Sequence, residues 1–563
     1  MDDPVAFWLD QDPDPETQQE LQTLLAEGKI ADVQARFAGR LAFGTAGLRA
    51  RMGAGPMRMN RLVVRQSSAG LASYLRTHVP DAATRGVVIG YDGRLRSQLF
   101  ANDAACVLGA MGLRVHLFDM PMPTPVCAFA RDHLNAAAAV VITASHNPPA
   151  YNGYKVFWHD GAQIRAPHDT GIAHCIAQAA QAAVPYTDRA VLAQEGLLRA
   201  VGQDTVDAYL RGIAALSIHP LNPTRAGLSI AYTPLHGVGA PIAERALAQQ
   251  GFTRLHTVPS QRDPDGAFPT VSFPNPEEPE AMRALLHLAT EIDADIACAN
   301  DPDADRLAVA VRLSPGDYAI LTGDQLGVIL ATDRLNASPG ATVATTVVSS
   351  RLLAKIAADR GSPCRITLTG FKWLAAAAIK EQAEGRPFAF AYEEALGFSI
   401  GTLVRDKDGL SALVSIAELS AALKDEGMTL LDYLLGIYQK HGVYLTAQRS
   451  LDLDPDRPSP TAVWRCASPR VIAGRAIATQ RDLRNATASV DLPSSDVLIY
   501  ELVDRTRVII RPSGTEPKLK CYYEVCEDVD ESDAVADVLA RTQKRLHEVI
   551  AAHQHEVRVL CGA

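Results

Sequence analysis

A chain of 563 residues with 47% apolar and 21% charged residues is too long for one core and too apolar for disorder to be its default. It should divide into about three to five domains at the usual ~100–200 residues each. A formal net charge of −10 argues against nucleic acid or an anionic membrane as the main partner, while leaving room for a locally basic cleft that takes a small anion.

In chain order, the start "MDDPVAF" is acidic and lacks a basic segment ahead of an apolar one. No apolar run reaches the ~18 residues that span a bilayer, so a cytoplasmic protein is expected. Nine scattered cysteines without a C-x-x-C pair read as reduced thiols, not as a disulfide frame or zinc site. "LAFGTAGLRARMGAG" (41–55) carries glycines beside Arg49 and Arg51, and reads equally as a phosphate wrap or a flexible loop. Five short β-branched runs then precede helical patterns: "GVVIGYD" (86–92), "AAAVVIT" (137–143), "LSIAYTP" (228–234), "IACAND" (296–301) and "TVATTVV" (342–348). This alternation predicts βαβ units and mostly parallel sheets. Their polar tips, Asp92-Gly93-Arg94, Ser145-His146-Asn147, His236-Gly237 and Asp301-Pro302-Asp303, sit where ligands of open α/β sheets bind. Proline-rich "SIHPLNPTRAG" (217–227) marks a first break, and a second falls near 315–340. "DPDRPSPTAVWRCASPR" (454–470) reads as a linker. Beyond it, "DVLIYELVDRTRVIIRPSGTEPKLKCYYEV" predicts a hairpin with a further strand, and "AVADVLARTQKRLHEVIAAH" a final helix. The expected domains are 1–217, 218–330, 331–455 and 470–563.

Four stretches carry candidate chemistry. In "ACANDPDADRLAVAV" (297–311), Asp301, Asp303 and Asp305 alternate on a short loop and can converge on one hard divalent cation. An EF-hand is excluded, because Arg306 and Arg312 occupy its glycine and bidentate-glutamate positions. In "RPSGTEPKLK" (511–520), Arg511, Ser513, Gly514 and Thr515 suit an anion nest. No Walker motif is present. Glu393 and Glu394 in "FAYEEALGFS" can accept hydrogen bonds from vicinal sugar hydroxyls or lie on a solvated loop, and Lys407 in "VRDKDGLSA" reads first as a surface ion-pair residue. "TASHNPPAYNGYKVF" (143–157) presents Ser145 beside His146 on a stiff loop. A Ser-His hydrolase fits poorly, since adjacent side chains on an extended loop diverge and no G-x-S-x-G elbow exists. With a metal loop and a basic clamp elsewhere in the chain, a serine that carries a phosphoryl group fits better.

These loops, in this order over residues 41 to 525, resemble the α-D-phosphohexomutase family of phosphoglucomutases and phosphomannomutases. The resemblance implies four domains around a central cleft, three α/β domains of shared topology and a smaller C-terminal α+β domain. It makes Ser145 the phosphoryl carrier and places Mg²⁺ on Asp301, Asp303 and Asp305 with a phosphoserine oxygen of Ser145. His146, Lys155, Arg49 and Lys407 become catalytic. Arg306, Thr369 and Gly370 (in "TLTGFKW"), Glu393, Glu394, Arg511, Ser513, Gly514 and Thr515 become substrate-binding. Many of the family's glucose- and mannose-type members carry a serine in a G-E-x-S sugar loop; here Ala395, after Glu394, occupies that serine's position. The "EEA" form resembles a larger-subunit branch that includes phosphoglucomutases, phosphopentomutases and a glucose bisphosphate synthase. The implied activity is interconversion of glucose 1-phosphate and glucose 6-phosphate, extending to mannose phosphates, with glucose 1,6-bisphosphate as activator and a monomer or weak homodimer as the assembly. Phosphopentomutase and glucose 1,6-bisphosphate synthase are the alternatives; a Ser145 phosphatase and a non-catalytic sugar-phosphate binder are the rivals of other classes.

Overall fold

The computed structural model describes residues 3–44, 47–452, 459–485, 492–513 and 518–561. They form two compact units, one of residues 1–321 with 378–380 and 395–425, the other of residues 322–377, 381–394 and 426–563.

The first unit holds two α/β layers. In the N-terminal sheet, β1 (Leu48–Arg51), β2 (Val87–Tyr91), β3 (Val115–Leu117), β4 (Ala138–Ile142), β5 (Tyr151–Phe157) and β6 (Leu198–Ala200) run in the order β1-β5-β4-β2-β3-β6. The strands β4, β2, β3 and β6 are parallel; β5 and β1 return antiparallel at the edge. β2 and β4 are buried along their whole length, which is why they read as unbroken apolar runs. The second sheet, β7 (Ser229–Thr233), β8 (Arg254–Thr257), β9 (Ile296–Ala299), β10 (Ala308–Ser314) and β11 (Asp317–Ile320), repeats the scheme in the order β11-β10-β9-β7-β8, parallel through β9, β7 and β8 and antiparallel beyond.

The expectation of a helix after every β-branched run fails at two of the five. β4 and β9 are each followed by a loop and an antiparallel strand, β5 and β10. After β4, Asn147-Pro148-Pro149 stops a helix. The returning strand then squeezes Gly153 between two neighbours: a Cβ there would lie 2.5 Å from the Thr143 carbonyl oxygen and 2.7 Å from that of Leu48. These two loops, Thr143–Ala150 and Asn300–Leu307, hold the candidate chemistry.

The same unit includes residues 395–425, with β15 (Gly397–Ile400) and the helix Gly409–Asp425. They are tied in by the buried Arg225–Glu418 ion pair at 3.2 Å, by the Tyr209 hydroxyl donating to Asp408 at 2.8 Å, and by the Leu307 N–H donating to the Leu396 carbonyl at 3.1 Å. Gly409 lies so close to Arg306 that a Cβ would stand 2.3 Å from its carbonyl oxygen.

The second unit contains the parallel strands β12 (Thr342–Thr346), β13 (Cys364–Thr367) and β14 (Phe388–Glu393), with β12 between the other two. It also contains a C-terminal antiparallel sheet in the order β16-β21-β20-β19-β18-β17, from β16 (Val443–Asp452), β17 (Val471–Ile472), β18 (Arg475–Asp482), β19 (Leu498–Leu502), β20 (Arg507–Pro512) and β21 (Lys518–Glu527). The helix Val535–Cys561 packs on β16 and β21. The hairpin, further strand and final helix expected of the C-terminal module are present. The proline-rich stretch 454–470 is not a plain linker. Pro460–Ala467 is a helix that buries Thr461 and Trp464, with Pro460 at its first position, where a missing N–H costs nothing. Among the described residues no helix is long and apolar enough to cross a membrane, and eight described cysteines are free thiols.

Candidate active site

In the first unit, Ser145 stands at the end of β4 with a backbone φ of 52°, in the left-handed region that a side chain adopts only when its surroundings hold it there. The holding groups are visible. The Ser145 N–H donates to Thr143 Oγ1 at 2.8 Å and the Asn147 N–H to the Ala144 carbonyl at 3.1 Å. Beneath the loop, the fully buried Arg94 guanidinium donates to the carbonyls of Ser145 and Asn147, and to those of Pro148 at 3.0 Å and Tyr151 at 3.3 Å. Asp92 balances that charge at 3.3 Å. The turn brings neighbouring side chains together. Ser145 Oγ lies 3.1 Å from His146 Nδ1 and donates to Asp301 Oδ2 at 2.7 Å. The divergence expected of Ser145 and His146 on an extended loop therefore does not occur, because the loop is left-handed at the serine.

Asp301, Asp303 and Asp305 are fully buried, and one oxygen of each lies within 4.8 Å of the others. Lys155 enters from β5, whose antiparallel return aligns it with Val141 on β4, and donates to Asp303 Oδ2 at 2.7 Å and Asp305 Oδ2 at 2.8 Å. Lys407 reaches Asp305 Oδ2 at 3.2 Å and Asp406 at 3.5 Å. It is therefore not the surface ion-pair residue that its local sequence suggested. Thr124 donates to Asp303 Oδ2 at 2.7 Å through its hydroxyl. Asp301 Oδ1 accepts from the Arg306 N–H at 3.0 Å. Arg49, on β1, donates to the Asn147 side chain at 3.1 Å.

Burial pushes the Asp301 carboxyl well up, and Asp303 and Asp305 add to the shift. At Asp303 and Asp305 burial acts the same way but is outweighed by Lys155, joined at Asp305 by Lys407, and both are held below the usual carboxylate range. Burial alone would lower Lys155; its two aspartate partners raise it above the ordinary lysine range. His146 is pulled well below its usual value by burial and by Arg306 and Arg49, so its ring is neutral at pH 7 and resists protonation.

The residues fit a divalent cation. Asp303 and Asp305 each spend one oxygen on Lys155, while Oδ1 of both is buried with no hydrogen-bond partner among the described residues. Buried carboxylate oxygens without donors are costly unless an ion uses them, and an all-oxygen donor set suits a hard cation.

In the second unit, Glu393 ends β14 and Glu394 opens the turn after it. Glu393 Oε1 accepts from the Gly370 N–H at 2.5 Å, and Gly370 has a φ of 110° that favours glycine. Glu394 accepts from Ser349 at 3.2 Å and Thr346 at 3.3 Å. Burial, then Glu393 and Asp324, push the Glu394 carboxyl up to about 7. Thr369 is partly exposed beside Gly370. Arg511 donates to the Tyr522 hydroxyl at 3.3–3.4 Å, and the Ser513 N–H donates to the Lys518 carbonyl at 2.7 Å. Gly514 and Thr515 lie outside the described residues.

The structure thus brings Arg49, Ser145, His146, Lys155, Asp301, Asp303, Asp305, Arg306 and Lys407 together in one unit, and Gly370, Glu393 and Glu394 in the other. Sequence reasoning missed Arg94, Thr124 and Asn147 as site residues. The strand tips Asp92-Gly93-Arg94 and Ser145-His146-Asn147 were the available signals, for Arg94 and Asn147; Thr124 stands 179 positions from the aspartate it bonds and had none.

A serine hydroxyl set against a buried three-aspartate cluster on an α/β scaffold fits what metal-assisted phosphoryl transfer requires. Four family models, for domains I, II and III and the C-terminal domain of phosphoglucomutase/phosphomannomutase, match residues 40–183, 207–314, 322–441 and 484–542. The chain belongs to this α-D-phosphohexomutase family, and is a phosphomutase-family enzyme, an intramolecular phosphotransferase. It is 34% identical to the phosphopentomutase of Mus musculus over 98% of this chain and 94% of that one. It is 34% identical to the glucose 1,6-bisphosphate synthase of Homo sapiens over 95% and 91%. The crystal structure of the phosphoglucomutase parafusin from Paramecium, in an open form, shares the fold with a TM-score of 0.70 at 19% identity, over 94% of this chain and 96% of that one.

Proposed function

We propose that the protein is a phosphosugar mutase that moves a phosphoryl group between the C1 and terminal hydroxyls of a pentose, interconverting ribose 1-phosphate and ribose 5-phosphate. The observation that carries the transfer step is the Ser145 hydroxyl, 2.7 Å from Asp301 in a carboxylate cluster with two oxygens that have no hydrogen-bond partner among the described residues. The pentose is supported by the phosphopentomutase relative at 34% identity and by the sugar loop without serine. Glucose phosphates, the substrate implied by the first resemblance, have weaker support.

In this reading phosphorylated Ser145 loses its phosphoryl group to the free sugar hydroxyl: the P–Oγ bond breaks as the new P–O bond forms. The hydroxyl proton ends on the departing Ser145 Oγ, which regains its hydroxyl; His146 Nδ1 at 3.1 Å and Asp301 Oδ2 at 2.7 Å are the side-chain groups within reach of that oxygen. The bisphosphate then turns over, and the other phosphate returns to Ser145. Asp301, Asp303 and Asp305 would hold Mg²⁺, which neutralises charge on the transferring group when bound. Lys155, Lys407, Arg49 and Arg306 surround the transferring group with positive charge. Glu393 and Glu394 accept sugar hydroxyls, Thr369 and Gly370 line their loop, and Arg511, Ser513, Gly514 and Thr515 hold the non-reacting phosphate. Glucose 1,6-bisphosphate serves as the primer that phosphorylates Ser145. We place the domains at 1–217, 218–330, 331–455 and 470–563.

A second reading, synthesis of glucose 1,6-bisphosphate, is favoured by the human synthase at 34% identity. Isomerisation of ribose, glucose and mannose 1-phosphates, measured in parallel with Mg²⁺ and a trace of glucose 1,6-bisphosphate, separates the readings. Ribose turnover well above glucose supports the first. Accumulation of bisphosphate with little isomerisation supports the second, and inactivity of folded protein on all three with no bisphosphate formed would refute both.

A further inference from the structure

Thr346 and Ser349 sit at the carboxyl end of β12, facing the second acid of the sugar loop. Both hydroxyls reach the same oxygen, Glu394 Oε2, at 3.3 Å and 3.2 Å, and they lie 2.9 Å from each other. Each hydroxyl has one proton, so either both donate to the carboxylate, or one donates to the other and the second passes the bond on. In every arrangement Oε2 of the ionised carboxylate accepts a hydroxyl proton, and Oε1 takes neither hydroxyl.

This tip is gripped from the C-terminal module. Arg507 on β20 donates to the carbonyls of Val347 at 3.1 Å and Ser349 at 2.5 Å. Arg507 is paired across the strands with Glu524 on β21, at 3.3 Å. Glu524 in turn accepts from the Ser350 hydroxyl at 2.9 Å and from the Arg351 N–H at 2.7 Å and Nε at 2.5 Å. Arg507 and Glu524 are buried. β20 continues to Arg511. One strand therefore carries the guanidinium that fixes the tip and, four residues on, the guanidinium proposed for the phosphate.

We propose that Thr346 and Ser349 are positioning residues for the phosphosugar, fixing which oxygen of Glu394 meets the sugar hydroxyls, and that Arg507 anchors them to the strand that presents Arg511. The proposal rests on the reading of Glu394 as a sugar-binding acid. It adds a sugar-orienting element that lies outside the sugar loop and whose anchor belongs to a different sheet.

The test is steady-state kinetics on the phosphosugar turned over fastest, from about pH 6 to pH 9, with thermal melts of each variant. Glu394→Gln comes first: an unchanged KM would refute the reading of the acid, and the proposal with it. Given an effect there, Ser349→Ala and Thr346→Val alone each leave one donor and should raise KM modestly. The double variant should raise KM about tenfold or more, the scale of a lost hydrogen bond to a charged group, with kcat within about twofold. Because donors favour the ionised carboxylate, the double variant should also move the acidic limb of kcat/KM to higher pH. Arg507→Lys, which cannot reach both carbonyls, should raise KM in the same direction. A folded double variant with wild-type KM and pH limb overturns the positioning role. An Arg507→Lys variant that melts earlier at wild-type KM overturns the anchor.

Discussion

Ser145, Lys155 and Glu394 each hold a charge or a conformation that an isolated residue would not keep. Replacing Ser145 by alanine removes the phosphoryl carrier, so turnover should fall by roughly 10³-fold or more, and mass spectrometry should find no phosphoenzyme; turnover near wild type would exclude a phosphoserine route. Glu394, pushed up to about 7 by burial and by Glu393 and Asp324, gives a pH test with two signs. As a hydroxyl acceptor it must be ionised, so KM should rise as pH falls below about 7. For stability the sign reverses. A carboxyl raised in the folded state contributes most below its unfolded value, 4.5, and that contribution is lost as pH rises through about 7. Glu394→Gln should therefore melt later than wild type at pH 8 and no later at pH 5, while binding sugar more weakly.

At the scale of elements, the hairpin-like return of β5 beside β4 decides where Lys155 points. Gly153→Ala would force a Cβ against two carbonyl oxygens, at 2.5 and 2.7 Å. Both are backbone atoms that cannot rotate away, so the variant should lose about 1–3 kcal/mol of stability, and activity should fall further than stability alone explains. Chemical denaturation and kcat together check this. A second element-level joint is Glu381, whose carboxylate is held down to about 2 by Arg386 first, then Arg365 and Thr342. Its stabilisation is present above its unfolded value of 4.5 and is lost as pH falls toward about 2. Glu381→Gln should destabilise at pH 7, and the gap from wild type should close in acid.

Across the whole molecule, a cation held by Asp301, Asp303 and Asp305 stabilises the folded chain by mass action, about 2.7 kcal/mol at a hundredfold excess over Kd. Mg²⁺ should raise Tm in the wild type, and chelation should reverse it; the Asp303→Asn variant should show a much smaller rise. How much was legible in the sequence follows from range. Asp301, Asp303 and Asp305 lie within five positions of one another and declared their chemistry, as did the helices that follow three of the five β-branched runs over 86–348. The return of β5 and β10 as antiparallel strands was hidden, because a short apolar run does not say which way the chain turns next. Thr124, and the carbonyls that Arg94 holds, were hidden because the partners lie 179 and 51 to 57 positions away. Lys407 looked solvated between Asp406 and Asp408, and only the tertiary fold sets it on Asp305.

The ion pairs that lock Lys155 to Asp303 and Asp305 have a practical consequence for peptide chemistry. Trypsin cuts after lysine and arginine, and between Arg131 and Lys155 the sequence has neither. After denaturation, one peptide of residues 132–155 therefore carries Ser145 as its sole serine, and its phosphorylated fraction reports how much of the enzyme is primed. In the native protein the Lys155 side chain is buried in its ion pairs, so the same bond should resist the protease. The rate at which that peptide is released becomes a clock for the opening of the β4–β5 pairing.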